Sequence, residues 1–163
     1  MNPLTGFIKV FGLTGESTDS AHKDWSELVT FAWGVSQAAG TSGGAGNERA
    51  DFTDLSVLKP VDRMSSALIS KCCSGQRISK VQIELCERAN EMMAAWLTLT
   101  FEEVVVSSVE LDGQVQDPSS RRPLEHVTFR YSKVRWGYEM TTASGMRAGK
   151  MESGWDLERN KAL

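Results

Sequence analysis

The sequence predicts a mainly β protein, a barrel or two-sheet sandwich of about eight strands with one short helix on its side. Three observations carry that expectation. Alternation of apolar and polar side chains with a period of two dominates the chain, turn-forming residues separate the alternating runs, and only one segment has helical spacing.

Taken in order, "WSELVTFAWGV" places Trp25, Val29, Phe31, Trp33 and Val35 on one face and Leu28, Thr30, Ala32 and Gly34 on the other, so one side is bulky and the other nearly bare. A long glycine-bearing loop follows, and "DFTDLSVLK" resumes as a strand. In "PVDRMSSALISKCCSG", Pro60 and Asp62 supply a helix start, Met64, Ala67, Leu68 and Cys72 recur at helical spacing, and Gly75 stands where a glycine ends a helix. "KVQIELCE" is the clearest strand, with Val81, Ile83 and Leu85 facing a core and Lys80, Gln82 and Glu84 facing away.

The run from Ala95 to Leu111 is rich in β-branched residues and too long for one ordinary strand. A bulge or corner near Glu102 and Glu103 is expected to divide it. "DGQVQDPSSRRP" is a loop, and from Glu125 to Glu139 alternation returns, with Val127, Phe129 and Tyr131 opposite His126, Thr128 and Arg130. The segment "TTASGMRAGKMES" reads as flexible, and "SGWDLER" as a last short strand.

With 163 residues and 40% apolar side chains, the chain is expected to form a single domain over 1–163. Its 18 basic and 21 acidic residues are scattered, which argues against a nucleic-acid surface. The N-terminal segment lacks a signal-peptide pattern, and the longest apolar stretch, "MMAAWL", is too short to cross a membrane, so synthesis and folding in the cytosol are expected. Three cysteines without framework spacing read as reduced thiols, half or fully buried.

Chemical motifs fail one by one. Counted from Gly40, a Walker loop needs glycine and lysine where Ala45 and Gly46 stand, and a strand rather than a helix follows the loop. Cys72 and Cys73 on a helix point roughly 100 degrees apart and do not readily chelate one ion. Cys-His pairs drawn from His22 or His126 have no local support, and Glu102 and Glu103 face opposite sides of a strand unless a bulge re-aims them. No cofactor, metal or catalysis is therefore expected. The competing readings are a small β-barrel hydrolase or toxin built on His126 with Cys86 or Glu102, and a ligand-binding barrel with an enclosed apolar cavity. Trp33, Trp136 and Trp155 read as core or interface residues, and the bare face beside Phe31 suggests a surface covered by other copies of the chain.

Five segments, "FIKVFGLTGES", "FAWGVSQ", "DLSVLKPVDRMSSALISKCCSG", "EEVVVSSVEL" and "GWDLERN", follow one another in an order that resembles the haemolysin-coregulated protein (Hcp) family of type VI secretion systems. The resemblance runs from about Phe7 to Asn160. It implies a mainly β fold, a β-barrel of two antiparallel sheets with one flanking short α-helix, assembled as a homohexameric ring. Such rings stack into a tube inside a contractile sheath, carry a spike, and bind small effector proteins in the lumen. The protein would thus begin in the bacterial cytoplasm and be secreted without a cleaved signal peptide. The resemblance assigns the lumen-facing strand to Thr30, Ala32 and Gly34. It assigns contacts between stacked rings to the loop Ala38 to Ala50, with Gly40, Gly43, Gly44, Gly46 and Asn47.

Overall fold

The stretch from Met92 to Asp112 is one strand of 21 residues that serves two sheets. At Glu103 the backbone takes φ 55°, a left-handed conformation that residues other than glycine seldom adopt, and this bends the strand. Before the bend it pairs with Ile78–Ala89 and Lys133–Thr141; beyond the bend it pairs with Leu124–Arg130. The corner expected at Glu102 and Glu103 is this bend.

The fold comes from a computed structural model, which describes residues 4–37, 49–89, 92–113, 119, 122–142, 144 and 146–163. In chain order the elements are β1 (Thr5–Val10), β2 (Ser26–Leu28), β3 (Thr30–Ala32), β4 (Val35–Ser36), β5 (Asp51–Phe52), β6 (Leu55–Pro60), α1 (Ser65–Ser74), β7 (Ile78–Ala89), β8 (Met92–Asp112), β9 (Leu124–Arg130), β10 (Lys133–Thr141), β11 (Arg147–Asp156) and β12 (Lys161–Ala162). One sheet runs β12-β11-β10-β8-β7-β1-β2, and a second runs β3-β6-β9-β8. Strands β4 and β5 form a separate two-stranded arm.

The sheets share β8 along one seam. Along the other, the Val29 N–H donates to the Leu58 carbonyl at 2.8 Å, so the two antiparallel sheets wrap into a barrel-like structure with one flanking helix. The alternation read from the sequence determines what fills it. Val81, Ile83 and Leu85 from β7, with Val127, Phe129 and Tyr131 from β9 and its end, are buried against Ile8, Leu55 and Phe101. Burying each such side chain contributes about 1.5–3 kcal/mol. Trp33, Trp96, Trp136 and Trp155 are partly buried against the same core.

Helix α1 starts where Asp62 arranges it. Asp62 Oδ1 accepts from the Met64 N–H at 3.1 Å, and the Ser65 hydroxyl accepts from the Asp62 N–H at 2.9 Å, which fixes the turn leading into the helix. Met64 and Leu68 bury their side chains in the core. Gly75 then ends the helix at φ 66°, the left-handed position expected of it.

One polar knot lies beneath this helix. Lys59 Nζ meets Glu125 Oε1 at 2.5 Å, Asp62 Oδ1 at 2.9 Å and the Pro60 carbonyl at 2.9 Å, while the Ser65 hydroxyl donates to Glu125 Oε1 at 2.8 Å. Ser26 Oγ donates to the other oxygen of Asp62. Strands β2, β6 and β9 and the helix are thereby joined at one point.

Four expectations need correction. The run Trp25 to Val35 is not one strand: β2 pairs with β1, whereas β3 pairs with β6 in the other sheet. The crossing between sheets shifts the alternation, so Leu28, read on the bare face, packs against the core and Val29, read on the bulky face, is 51% exposed. The segment read as flexible is largely strand, because Arg147 to Ser153 belong to β11 and pair with β10. Most of this strand is exposed, so no inward face marks it in the sequence. Twelve strands are present among the described residues rather than about eight, since β4, β5 and β12 are each two residues long and show no period, and one run read as a single strand divides into β2 and β3. Finally, Cys72 is half-buried and Cys86 buried as expected, but Cys73 is exposed, because it lies on the outward side of α1.

Candidate functional site

The pairing register lays out one exposed face of the second sheet. Ala32 pairs with Ser56, Ser56 with Thr128, and Thr128 with Ser108; beside that row, Thr30 pairs with Leu58, Leu58 with His126, and His126 with Glu110. Directly opposed residues point to the same side of a sheet, so these rows form the outward face. It is built mainly of small and hydroxyl-bearing side chains. Thr128 Oγ1 lies 2.6 Å from Ser108 Oγ and 2.7 Å from Ser107 Oγ, and Ser56 Oγ lies 2.5 Å from His126 Nε2. The hydroxyls of Ser107, Ser108 and Thr128 bond one another and that of Ser56 bonds His126, while Leu58, His126 and Glu110 are the larger side chains of the face.

Thr30 and Ala32 are exposed on this face. Gly34 sits beyond the end of β3. Its N–H donates to Thr53 Oγ1 at 2.9 Å and its carbonyl accepts from the Thr53 N–H at 3.0 Å, so it belongs to the root of the β4–β5 arm. The arm pairs Val35 with Phe52 and Ser36 with Asp51. Gly40, Gly43, Gly44, Gly46 and Asn47 lie outside the described residues.

On the opposite side of the molecule's pairing circuit, the structure assembles a cluster around His22, whose pairing with a cysteine had no local support in the sequence. His22 is 2% exposed, stacked on Phe7 with ring centroids 4.1 Å apart and edge-on to Trp25 at 4.9 Å. Its Nδ1 lies 2.7 Å from Asp19 Oδ2, its Nε2 lies 2.7 Å from Glu84 Oε2, and Cys86 Sγ is 3.6 Å from Nε2. Asp19 Oδ2 also accepts from the N–H groups of Ala21 and His22, at 3.2 and 3.1 Å, which fixes the short turn carrying the imidazole.

Electrostatics follow from this geometry. Burial by itself favours a neutral imidazole, but hydrogen bonds with Cys86, Glu84 and Asp19 outweigh it and push the His22 pKa up to about 10. The hydrogen bond from His22 holds Glu84 below the usual glutamate range against the effect of its burial. For Asp19 burial acts upward, and the hydrogen bond and charge of His22 more than offset it, so that carboxyl is also lowered. A cleft of about 320 Å³ adjoins the cluster, bordered by His22, Glu84, Trp96, Glu139, Arg147 and Lys150.

Only the spacing Asp-x-x-His hinted at this cluster. Glu84 was read as a solvent-facing residue of β7, and Cys86 lies on the same outer side. Cys86 is nevertheless fully buried, because the turn carrying His22 covers it. The grouping imagined for a hydrolase does not form. His126 bonds Ser56, Cys86 meets His22, and Glu102 pairs with Arg135 at 3.6 Å, with no contact joining any two of the three among the described residues.

The chain thus belongs to the class of mainly β proteins in which two antiparallel sheets wrap into a barrel-like structure with one flanking helix. Over residues 7–138 the sequence matches the family described as type VI secretion system effector, Hcp, and the chain belongs to that family. Protein hcp1 of Pseudomonas aeruginosa is 29% identical over 159 residues, covering 94% of this chain and 95% of its own. The major exported protein of the same organism is 28% identical over 93 residues, 55% of this chain and 54% of its own. A solved structure described as a type six secretion system protein shares 31% identity and a TM-score of 0.87 over 99% of this chain and 100% of its own. Hcp proteins are structural, secreted components of that system and do not form a known enzyme family. Among the described residues no helix is long and apolar enough to cross a membrane.

Proposed function

We propose that this chain, acting as one domain over 1–163, is the ring subunit of a type VI secretion tube. Six copies close into a ring, rings stack inside the contractile sheath behind a spike, and small effector proteins bind in the lumen. The protein is made in the bacterial cytoplasm and leaves with the tube, without nucleic acid or membrane insertion. Family membership supports the system. The observation that carries the ring reading is the two-row outer face containing Thr30 and Ala32. An effector must slide along a lumen wall, and the row Ala32, Ser56, Thr128 and Ser108 offers small side chains, with hydroxyls tied by hydrogen bonds, along which it can pass.

A second feature supports assembly. Tyr138, Met140 and Met151 are 46%, 39% and 65% exposed, and because Tyr138 pairs with Met151 they share one side of the β10–β11 hairpin. An apolar patch on a hairpin is the kind of surface that another subunit covers. In this reading Gly34 roots the arm that leads to Gly40, Gly43, Gly44, Gly46 and Asn47, and that loop meets the next ring. Solution mass and negative-stain images of the purified protein test the proposal. Six-membered rings with an open centre are expected; monomer alone at high micromolar concentration would overturn it.

A further inference from the structure

The cluster at His22 offers a mixed set of metal ligands that a tube subunit does not require. One atom from each of His22, Glu84 and Cys86 falls within 4.8 Å of the others, although the first residue comes from the loop before β2 and the others from β7. We propose that His22 Nε2, Cys86 Sγ and a Glu84 carboxylate oxygen form a three-ligand site for a borderline divalent metal ion of the Zn2+ class, with Asp19 holding the imidazole in place.

Geometry and chemistry agree on this. Tetrahedral zinc with nitrogen at about 2.0–2.1 Å and sulfur at about 2.3 Å sets those two ligand atoms roughly 3.5 Å apart. The His22 Nε2 to Cys86 Sγ separation is 3.6 Å. Glu84 stands closer, 2.7 Å from Nε2, because a hydrogen bond joins them, and it must retreat by about 0.7 Å to become a ligand. It has room to do so, since its side chain is 19% exposed and borders the cleft. His22 and Glu84 border that cleft, through which water can reach the site.

The imidazole is already oriented as a metal ligand needs. Its remote nitrogen is bonded to the Asp19 carboxylate at 2.7 Å, the arrangement that fixes ring orientation and raises ligand basicity in metal-bound histidines. Phe7 stacks on the ring face and prevents rotation. One sulfur, one nitrogen and one oxygen ligand suit zinc or its neighbours and do not suit Ca2+ or Mg2+, which take oxygen ligands. Binding replaces the Nε2 proton and the thiol proton, and both pass to water.

The test uses the full chain, purified through a chelator and titrated with Zn2+ by calorimetry and with Co2+ by absorption spectroscopy. About one tightly bound Zn2+ per chain is expected, together with a thiolate-to-cobalt charge-transfer band. Cys86→Ser should abolish the band, Glu84→Gln should weaken zinc binding, and Asp19→Asn should weaken it by about 10–100-fold. The double variant Cys72→Ser/Cys73→Ser should keep both signals. Circular dichroism of each variant, matching that of the parent chain, excludes misfolding as the cause of any loss. Absence of zinc binding by the folded chain, or binding and a cobalt band unchanged in Cys86→Ser, would overturn the assignment. Ring formation is read separately by solution mass, so failure here leaves the tube proposal intact.

Discussion

Lys59 and Glu125 are register partners on β6 and β9, and their side chains meet at 2.5 Å with 1% and 0% exposure. Two full charges are thus sealed beneath α1, with Asp62 as a third member at 2.9 Å from the ammonium. The second oxygen of Glu125 is buried and has no hydrogen-bond partner among the described residues. A buried pair is costly to desolvate, and its removal as a unit is tolerated far better than loss of one member.

Glu125→Ala is therefore expected to destabilise the chain by up to about 3–5 kcal/mol, since it leaves the buried Lys59 ammonium with only Asp62 and the Pro60 carbonyl. The double change Lys59→Met/Glu125→Leu should recover much of that loss. Urea unfolding of the three proteins measures both numbers, and equal loss in the single and double variants would contradict the stated origin.

In the chelator-treated protein, His22 links stability to pH. Its pKa rises from 6.5 in the unfolded chain to about 10 in the folded one, so the folded state holds the proton more tightly. The stabilisation is fully present below pH 6.5 and is lost as pH rises through about 10. Urea midpoints should fall across that window, and His22→Gln should flatten the fall.

Tyr131 joins the core to the arm. Its hydroxyl accepts from Trp33 Nε1 at 2.5 Å and donates to the Thr53 carbonyl at 2.8 Å. Tyr131→Phe leaves a half-buried N–H and a carbonyl without this partner, for an expected cost of about 1–3 kcal/mol by urea unfolding. Burial pushes the phenol up to about 12, so ultraviolet titration should find it ionising well above free tyrosine, and the difference should vanish on unfolding.

Ala32→Trp places a large ring on the outer face. No backbone bond is disturbed, so ring formation should persist by solution mass, while effector retention in co-purification should drop several-fold. Unchanged retention would remove Ala32 from the lumen wall.

Shortening the loop from Gly40 to Gly46 should spare the ring and weaken stacking, seen as fewer tubes in negative stain. Failure of the ring itself would assign the loop to subunit folding.

Much of the fold was legible because alternation records burial directly. Val81, Ile83 and Leu85 could face only a core, and Thr30 and Ala32 were marked as an exposed, bare side. The site was legible only in that half. His22 and Cys86 are 64 residues apart, and neither belongs to a local pattern that names the other.

By itself the sequence determined the inward faces of the long strands, the helix between Asp62 and Gly75, and the order of segments that marks the family. Each is a local property, set by side-chain period or by a backbone preference at one residue. Tertiary structure alone decided the crossing at Val29, the strand role of Arg147 to Ser153, the burial of Lys59 with Glu125, and the meeting of His22 with Glu84 and Cys86. A period of two says which side of a strand is covered within its own sheet; it cannot say where the chain changes sheets, nor which distant turn folds over the outer side.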